Sequence, residues 1–507
     1  MYYCLSNNTY NNTMGQYSIN FIQFFLPLFI VAFFLIKNRW IASFIIILAY
    51  FLGMAEFLSC NITGDNLYLS TLLRIDSTML DMTPTVLGAL FYRTCFYTLL
   101  MFMFVYLKMK ENFHKKIFYL LRLHWCYRLI LIIICMIPMA SSLTVNTYVN
   151  IFNDYNEYRL SKNYSLNDII SQLGGVSYLS KNEIVAHPGK DIIVIYCESF
   201  DDGYLDNELF PDLMPKLHKM IEQGKINRYT NYIPMEGANW TVGALYATHT
   251  SFPCIVGHGG NSIFKNVSSS SAVSYANVLQ AAGYNTLFLS AADLNFAGTG
   301  SMMELLGYKV KNYDAFNVDT EKTYWGVHDL DLFKQAKISY DLMKRSETPF
   351  CITLLTCDTH FPDGLPDKRL SNNVKIDLNG NSMEYSIASL DYLLSDFIDY
   401  VNTNSGDENT EIVILGDHPV MGSKEQTATV GKLEQKTRKV ALLTTINTEK
   451  YSKNDKIYFW NIPDFILSGI NVGNNAIFAD KLFNDMNKEK IEKNRSLFMQ
   501  LNLKLNN

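Results

Sequence analysis

Ile19 to Ile36 is an apolar run without a single charged residue, long enough as one helix to cross the ~30 Å hydrocarbon core of a bilayer. In lipid such a segment must pair every backbone polar group internally, so helix is the only state open to it. A second run, Trp40 to Leu58, follows after only Lys37-Asn38-Arg39, and the two are expected to form a helical hairpin. A third run, Thr83 to Leu107, carries Arg93, and a fourth extends from Trp125 to Leu143 with Arg128 near its start. The hydrophobic content of 49% is ordinary as an average, but it conceals a split between residues 18–143 and a remainder with the mixed composition of a soluble α/β domain. The expected organisation is a transmembrane anchor of about four helices over 1–143, a linker over 144–189 and an extracytoplasmic domain over 190–507.

Basic residues concentrate at Lys37 with Arg39 and at Lys108, Lys110, Lys115, Lys116 and Arg122, which by the positive-inside bias puts both connections in the cytoplasm and both termini outside. Phe113 to Leu123 reads equally well as an interfacial amphipathic helix or as a solvated linker. Arg93 reads as a snorkelling side chain or one that meets a lipid headgroup. Met1 to Gln16 has no basic region or small-residue cleavage site, so no cleaved signal peptide is expected. The net charge of −5 excludes the basic face that a nucleic-acid partner requires. The nine cysteines form no C-x-x-C pair and no zinc-finger spacing.

Beyond the polar stretch 146–189, strand-like runs recur at Asp191–Cys197, Thr286–Leu289, Phe350–Leu355, Glu411–Leu415 and Val440–Thr445. Helical patterns separate them at Met214–Gly224, Ala272–Ala282 and Glu384–Val401. Continuous apolar strands alternating with helices predict a mainly parallel sheet flanked by helices, with ligands beyond the carboxyl ends of the strands. Glu198 ends the first run, and Asp417-His418 ends the fourth. Small residues crowd Thr241 in Glu236-Gly237-Ala238-Asn239-Trp240-Thr241-Val242-Gly243-Ala244, as expected where a bulky substrate must approach a helix start. Singly, Thr241, Glu198 and Asp417 each read as helix caps. Together, Glu198, Thr241, Asp417 and His418 form a plausible ligand set for one divalent metal ion, and a coordinated Thr oxygen is an activated nucleophile.

The order Glu, Thr, Asp-His resembles the lipoteichoic acid synthase and phosphoethanolamine transferase branch of the alkaline phosphatase superfamily. Within it, the chain is most similar to the phosphoglycerol transferases that decorate periplasmic glucans. The resemblance is carried by Trp240-Thr241, Leu209-Phe210-Pro211-Asp212-Leu213-Met214-Pro215, Ala292-Asp293-Leu294-Asn295-Phe296-Ala297-Gly298, Trp325-Gly326-Val327-His328-Asp329 and Asp358-Thr359-His360-Phe361-Pro362-Asp363-Gly364, and it covers roughly residues 185–475. It implies an alkaline phosphatase-like domain in a multi-pass protein of the bacterial inner membrane, facing the periplasm or exterior. It further implies Thr241 as nucleophile, His360 as a phosphate contact, and zinc or manganese held by Glu198, Thr241, Asp417 and His418. The implied donor is phosphatidylglycerol and the implied acceptor an envelope glycan.

Asp293 and Trp325 match motif positions of the donor site, although Trp325 reads equally as packing. Thr299 departs from the pattern, because the family shows a Lys there, or an Arg nearby, to grip phosphate. His249 and His258 match no role. The alternatives are a phosphoethanolamine transferase acting on lipid A or another envelope glycan, and a membrane-tethered binding or sensing protein. Sulfatase chemistry needs a C/S-x-P-x-R motif, and Cys254-Ile255-Val256-Gly257-His258 is not one.

Overall fold

The computed structural model describes residues 14–506 except 64–66, 70–71, 73–76, 111–124, 141, 256–263, 266, 379, 407–409, 422–426 and 484. The Phe113–Leu123 segment and His258 therefore lie outside the described residues. The chain divides into two units, 1–156 and 157–507.

In the first unit, α1 (Met14–Ile30), α2 (Arg39–Thr63), α3 (Ser77–Met109), α4 (Trp125–Ala140) and the start of α5 (Leu143–Ser161) fall on the four apolar runs. Two helical segments, Ser18–Leu35 and Arg39–Cys60, are each long and apolar enough to cross a membrane. A third span is added if the bent pair Leu129–Ala140 and Leu143–Ser161 counts as one. The third run lies within the 33-residue α3. On α1 the fourfold spacing of Phe21, Phe25, Phe29 and Phe33 puts all four rings on one face, with successive centroids 5.6, 6.2 and 5.2 Å apart. Pro27 lies inside α1, and the helix finishes as a π turn over Val31–Leu35. Lys108 Nζ donates to the carbonyls of Phe33 and Ile36 at 2.5 and 2.8 Å, satisfying acceptors that the helix end leaves unpaired.

The second unit is built on a seven-stranded sheet. In chain order its strands are β1 (Ile192–Cys197), β2 (Asn227–Arg228), β3 (Asn285–Ser290), β4 (Lys309–Lys311), β5 (Phe350–Leu355), β6 (Glu411–Gly416) and β7 (Leu442–Thr444). Their spatial order is β2-β7-β6-β1-β5-β3-β4. The five strands from β6 to β4 are parallel, whereas β7 runs antiparallel to both β6 and β2. Every residue of β1, β5 and β6 is buried, as helices on both faces of a parallel sheet require. At about 1.5–3 kcal/mol for each fully buried large aliphatic side chain, these three strands anchor the core.

Around the sheet pack α6 (Pro215–Glu222), α7 (Thr241–Thr250), α8 (Tyr275–Ala281), α9 (Thr299–Leu305), α10 (Asp329–Lys344), α11 (Ser382–Asn404) and, near the end of the chain, α12 (Arg495–Leu505). The carboxylate of Asp391, on α11, accepts from the backbone N–H groups of Lys216 and Leu217 in the first turn of α6, at 3.0 and 2.8 Å. A tertiary contact thus caps a helix whose own N-cap residue, Met214, makes no side-chain capping bond.

Candidate active site

The carboxyl ends of adjacent strands β1 and β6 deliver Glu198 and Asp417-His418 to one point, because the two strands pair in register from Ile192↔Glu411 to Cys197↔Gly416. Gly416 is required there: a Cβ on it would stand 2.2 Å from the Phe200 carbonyl oxygen. Ser199, directly after Glu198, holds a left-handed φ of 52°, a strained conformation for a side chain with a Cβ and one that clusters at functional sites. Asp417 Oδ1 accepts from the Ser199 and His418 N–H groups at 2.8 and 2.7 Å. Its other oxygen, Oδ2, is buried with no hydrogen-bond partner among the described residues.

Thr241 arrives on the first turn of α7, whose residues from Val242 to Thr250 are all buried. The N-cap is Trp240, so the Thr241 hydroxyl is not occupied in capping. It donates to Glu198 Oε2 at 3.0 Å and lies 3.5 Å from His418 Nε2. The approach depends on Gly243, where a Cβ would meet the Gly237 carbonyl oxygen at 2.2 Å and Trp240 Nε1 at 2.4 Å. The start of the loop is held by Glu236, whose Oε2 lies 3.0 Å from Arg495 Nη1 at the head of α12, with Lys488 at 3.5 Å.

Glu198, Asp417 and His418 each offer one ligand atom, and these atoms all lie within 4.8 Å of one another. The donor set fits a divalent cation on two further counts. His418 Nδ1 sits 2.9 Å from the Pro419 carbonyl, which assigns the proton to Nδ1 and leaves the Nε2 lone pair directed at the two carboxylates, 3.5 Å from each. The unpartnered Asp417 Oδ2 is the kind of buried anionic atom that a cation satisfies. Burial works to raise the Glu198 carboxyl, but His418, His360 and the hydroxyls of Ser199 and Thr241 outweigh it and hold the group below its ordinary value. Asp417 is pushed up to about 7, first by burial and then by the Glu198 charge. Burial opposes the imidazolium of His418, yet the two carboxylates raise its pKa on balance.

His360 is placed by the turn after β5, where its N–H donates to the Cys357 carbonyl at 3.1 Å and its Nδ1 lies 2.7 Å from the Phe361 carbonyl. The Trp325 ring covers it, with centroids 4.3 Å apart. Trp325 thus packs against a candidate site residue. Asp293 accepts from Asn295 at its backbone N–H and Nδ2, and its own N–H reaches the Trp325 carbonyl at 2.8 Å. Thr299 is buried, its hydroxyl donating to the Phe296 carbonyl at 2.7 Å, and it supplies no charge. His249 is buried between Tyr196 and Tyr275, with Nδ1 2.6 Å from the Leu245 carbonyl and Nε2 3.1 Å from Tyr308 Oη, a structural role.

Several supporting residues escaped the sequence reading. Ser199 Oγ donates to Glu198 Oε1 at 2.7 Å, Thr356 accepts from the Glu198 N–H at 3.0 Å, and Thr359 donates to its carbonyl at 2.5 Å. Behind His360, Asp329 accepts from the Cys357 and Asp358 N–H groups while Asp358 accepts from the Asp329 N–H and pairs with His328 Nδ1 at 2.9 Å. This reciprocal bracket ties α10 to the His360 turn. The quoted Val-His-Asp and Asp-Thr-His runs contained its members, but nothing in either run signals that they meet.

Among curated proteins, the chain is 30% identical over 240 residues to phosphoglycerol transferase I of Xanthomonas campestris pv. campestris, covering 46% of this chain and 34% of that protein. The chain thus spans about a third of the length of the curated relatives it matches. Among solved structures, the lipoteichoic acid synthase LtaP from Listeria monocytogenes aligns with a TM-score of 0.48 and 15% identity, over 66% of this chain and 81% of that one. The integral membrane lipooligosaccharide phosphoethanolamine transferase A from Neisseria meningitidis aligns with a TM-score of 0.48 and 11% identity, over 89% and 87%. Residues 190–461, more than half of the chain, match the family described as Sulfatase, and with the parallel sheet and the Glu198, Asp417 and His418 cluster at its strand ends, the chain belongs to that family of the alkaline phosphatase superfamily.

Proposed function

We propose that this protein is a membrane-anchored phosphotransferase that moves a phosphoglycerol group from phosphatidylglycerol, through a phosphothreonine at Thr241, to a hydroxyl of an envelope glycan. The observation that carries this reading is the Thr241 hydroxyl resting on Glu198 and His418, beside the unpartnered oxygen of Asp417. The phosphoglycerol assignment is supported by the name of the curated relatives and by the motifs shared with them.

A zinc or manganese ion would be held by Glu198, Asp417 and His418 together with Thr241, and when bound it supplies positive charge that activates the Thr hydroxyl and offsets charge on the phosphoryl oxygens. Glu198 Oε2 orients the hydroxyl through their hydrogen bond. In the first half-reaction the Thr241 Oγ1–P bond forms and the P–O bond to diacylglycerol breaks, the diacylglycerol oxygen leaving with a proton. In the second, the acceptor hydroxyl forms a P–O bond, the Thr241 ester breaks and Thr241 regains its proton. His360, its Nδ1 held by the Phe361 carbonyl, would donate to a phosphoryl oxygen through Nε2 in its imidazolium form. The charge bias at Lys37, Arg39 and Lys108 supports a bacterial inner-membrane location with the catalytic unit in the periplasm or exterior.

Incubation with phosphatidylglycerol in the absence of acceptor should add one glycerophosphoryl unit to Thr241, read by mass spectrometry. An adduct formed only from phosphatidylethanolamine would transfer the protein to the phosphoethanolamine branch. No adduct from either lipid on metal-loaded protein would support the binding or sensing reading.

A further inference from the structure

We propose that the ring of Tyr324 is a stacking platform for a sugar ring of the acceptor, set on the rim of the cleft that holds Thr241. The inference rests on the glycan-acceptor reading and assigns the residue that recognises that acceptor.

Tyr324 and Trp325 occupy the tip of a tight turn closed by the Thr323 N–H to the Gly326 carbonyl at 2.7 Å, with the Thr323 hydroxyl accepting from the Trp325 and Gly326 N–H groups. Bridges from Lys322 to Val327 and from Ala292 to Gly326 fasten this turn to the loop that follows β3. Held this way, the two consecutive rings diverge. Trp325 lies over His360, with Phe296 edge-on at 5.7 Å. Tyr324 stands against it at 5.2 Å and 82°, and remains 79% exposed. The series runs inward from Tyr324 to Trp325 and His360, and Thr359, next to His360 in the chain, donates to the carbonyl of Glu198, on whose carboxylate the Thr241 hydroxyl rests.

An isolated exposed aromatic needs no explanation, but this one is the outermost ring of a series that begins at the catalytic cleft. A Tyr carries a large flat face with only two side-chain torsions to order on binding, so it offers contact area at low entropic cost. The surroundings select the ligand. Asp314 is paired with Lys322 at 3.2 Å and Glu321 with Arg369 at 3.5 Å, and Asp319 is exposed beside them. This margin carries no excess of positive charge to draw an anionic bilayer surface, and its carboxylate oxygens accept hydrogen bonds from neutral sugar hydroxyls. The geometry points to a sugar ring rather than to lipid.

The test uses the metal-loaded full-length protein in nanodiscs containing phosphatidylglycerol, with a linear β-glucan hexasaccharide as acceptor probe. Diacylglycerol release and phosphoglycerol transfer to the sugar are measured together. Tyr324→Ala should lower the ratio of transfer to diacylglycerol release by about tenfold through a raised acceptor KM, the size of one lost stacking contact, and Tyr324→Trp should restore it. An unchanged ratio in Tyr324→Ala would overturn the platform. So would an equal fall in both rates, which would identify Tyr324 as a membrane or folding contact. A Thr241 adduct with no transfer to the hexasaccharide by wild type would overturn the platform while leaving the donor half-reaction intact. Absence of the adduct would bring down the underlying reading, and the platform with it.

Discussion

Thr241 Oγ1 and Glu198 Oε2 meet across 3.0 Å although 43 residues separate them in the chain, the one arriving on a helix start and the other on a strand end. Thr241→Ala removes the hydroxyl together with the γ-methyl, leaving Glu198, Asp417 and His418 in place. Turnover and the glycerophosphoryl adduct should fall by at least about a thousandfold, the usual scale for a lost nucleophile, while bound metal, measured by elemental analysis, persists. Retained activity would remove Thr241 from the mechanism.

Asp417→Asn and Glu198→Gln each keep the side-chain shape and remove a charge from the candidate metal site. Metal content and turnover should both be lost while the far-ultraviolet circular dichroism stays native. Chelation of the wild-type protein should have the same effect, reversed by added zinc or manganese. A variant that loses activity with full metal content would separate these residues from metal binding.

In an ordinary helix, Gly→Ala stabilises by about 1 kcal/mol. Gly243→Ala should do the reverse, because the new Cβ would press on the Gly237 carbonyl and the Trp240 indole, and overpacking of that kind costs about 1–3 kcal/mol. Melting of the variant should shift downward, and turnover should fall further than stability because the displaced backbone carries Thr241. A raised melting temperature would contradict the close approach.

Burial pushes the imidazole of His249 down to about 3, well below the ordinary value of about 6.5 for the unfolded chain. Above that value both states are neutral and His249 makes no pH-dependent contribution. As pH falls from about 6.5 to 3 the unfolded chain takes up a proton that the folded one refuses, so stability drops by about 1.4 kcal/mol per unit. His249→Gln should flatten that part of the stability–pH curve in denaturant titrations, despite a lower stability at pH 7. An identical slope in the variant would refute the assignment.

Topology is open to labelling. Asn404, exposed near the end of α11, should react as Asn404→Cys with an impermeant thiol reagent in intact cells, and Lys37→Cys should be protected. The opposite pattern would invert the orientation and remove the catalytic unit from the envelope lipids.

Chain-local chemistry determined a good part of this protein. An uncharged apolar run of bilayer length can only be helix, and unbroken apolar strands between helices can only lie inside a covered parallel sheet, so strands β1, β3, β5 and β6 were legible to within a residue at each end, whereas the first three apolar helices extend up to six residues beyond the expected runs. The acidic residues that close β1 and β6 were legible for the same reason, since a strand end is where a buried run meets the cleft.

Tertiary structure decided where those residues meet. Taken locally, Thr241, Glu198 and Asp417 were each sufficient as helix caps, and only the in-register pairing of β1 with β6 brought the last two together. The antiparallel direction of β7, the short strand β2, the left-handed Ser199, the Thr356 and Thr359 hydroxyls on Glu198 and the Arg495 clamp on Glu236 left no local trace. These pairings join positions as much as 259 residues apart, and a contact between distant segments exists only once the whole sheet has set their separation. The same holds for Trp325, whose ring lies over His360, a contact that its sequence position does not signal.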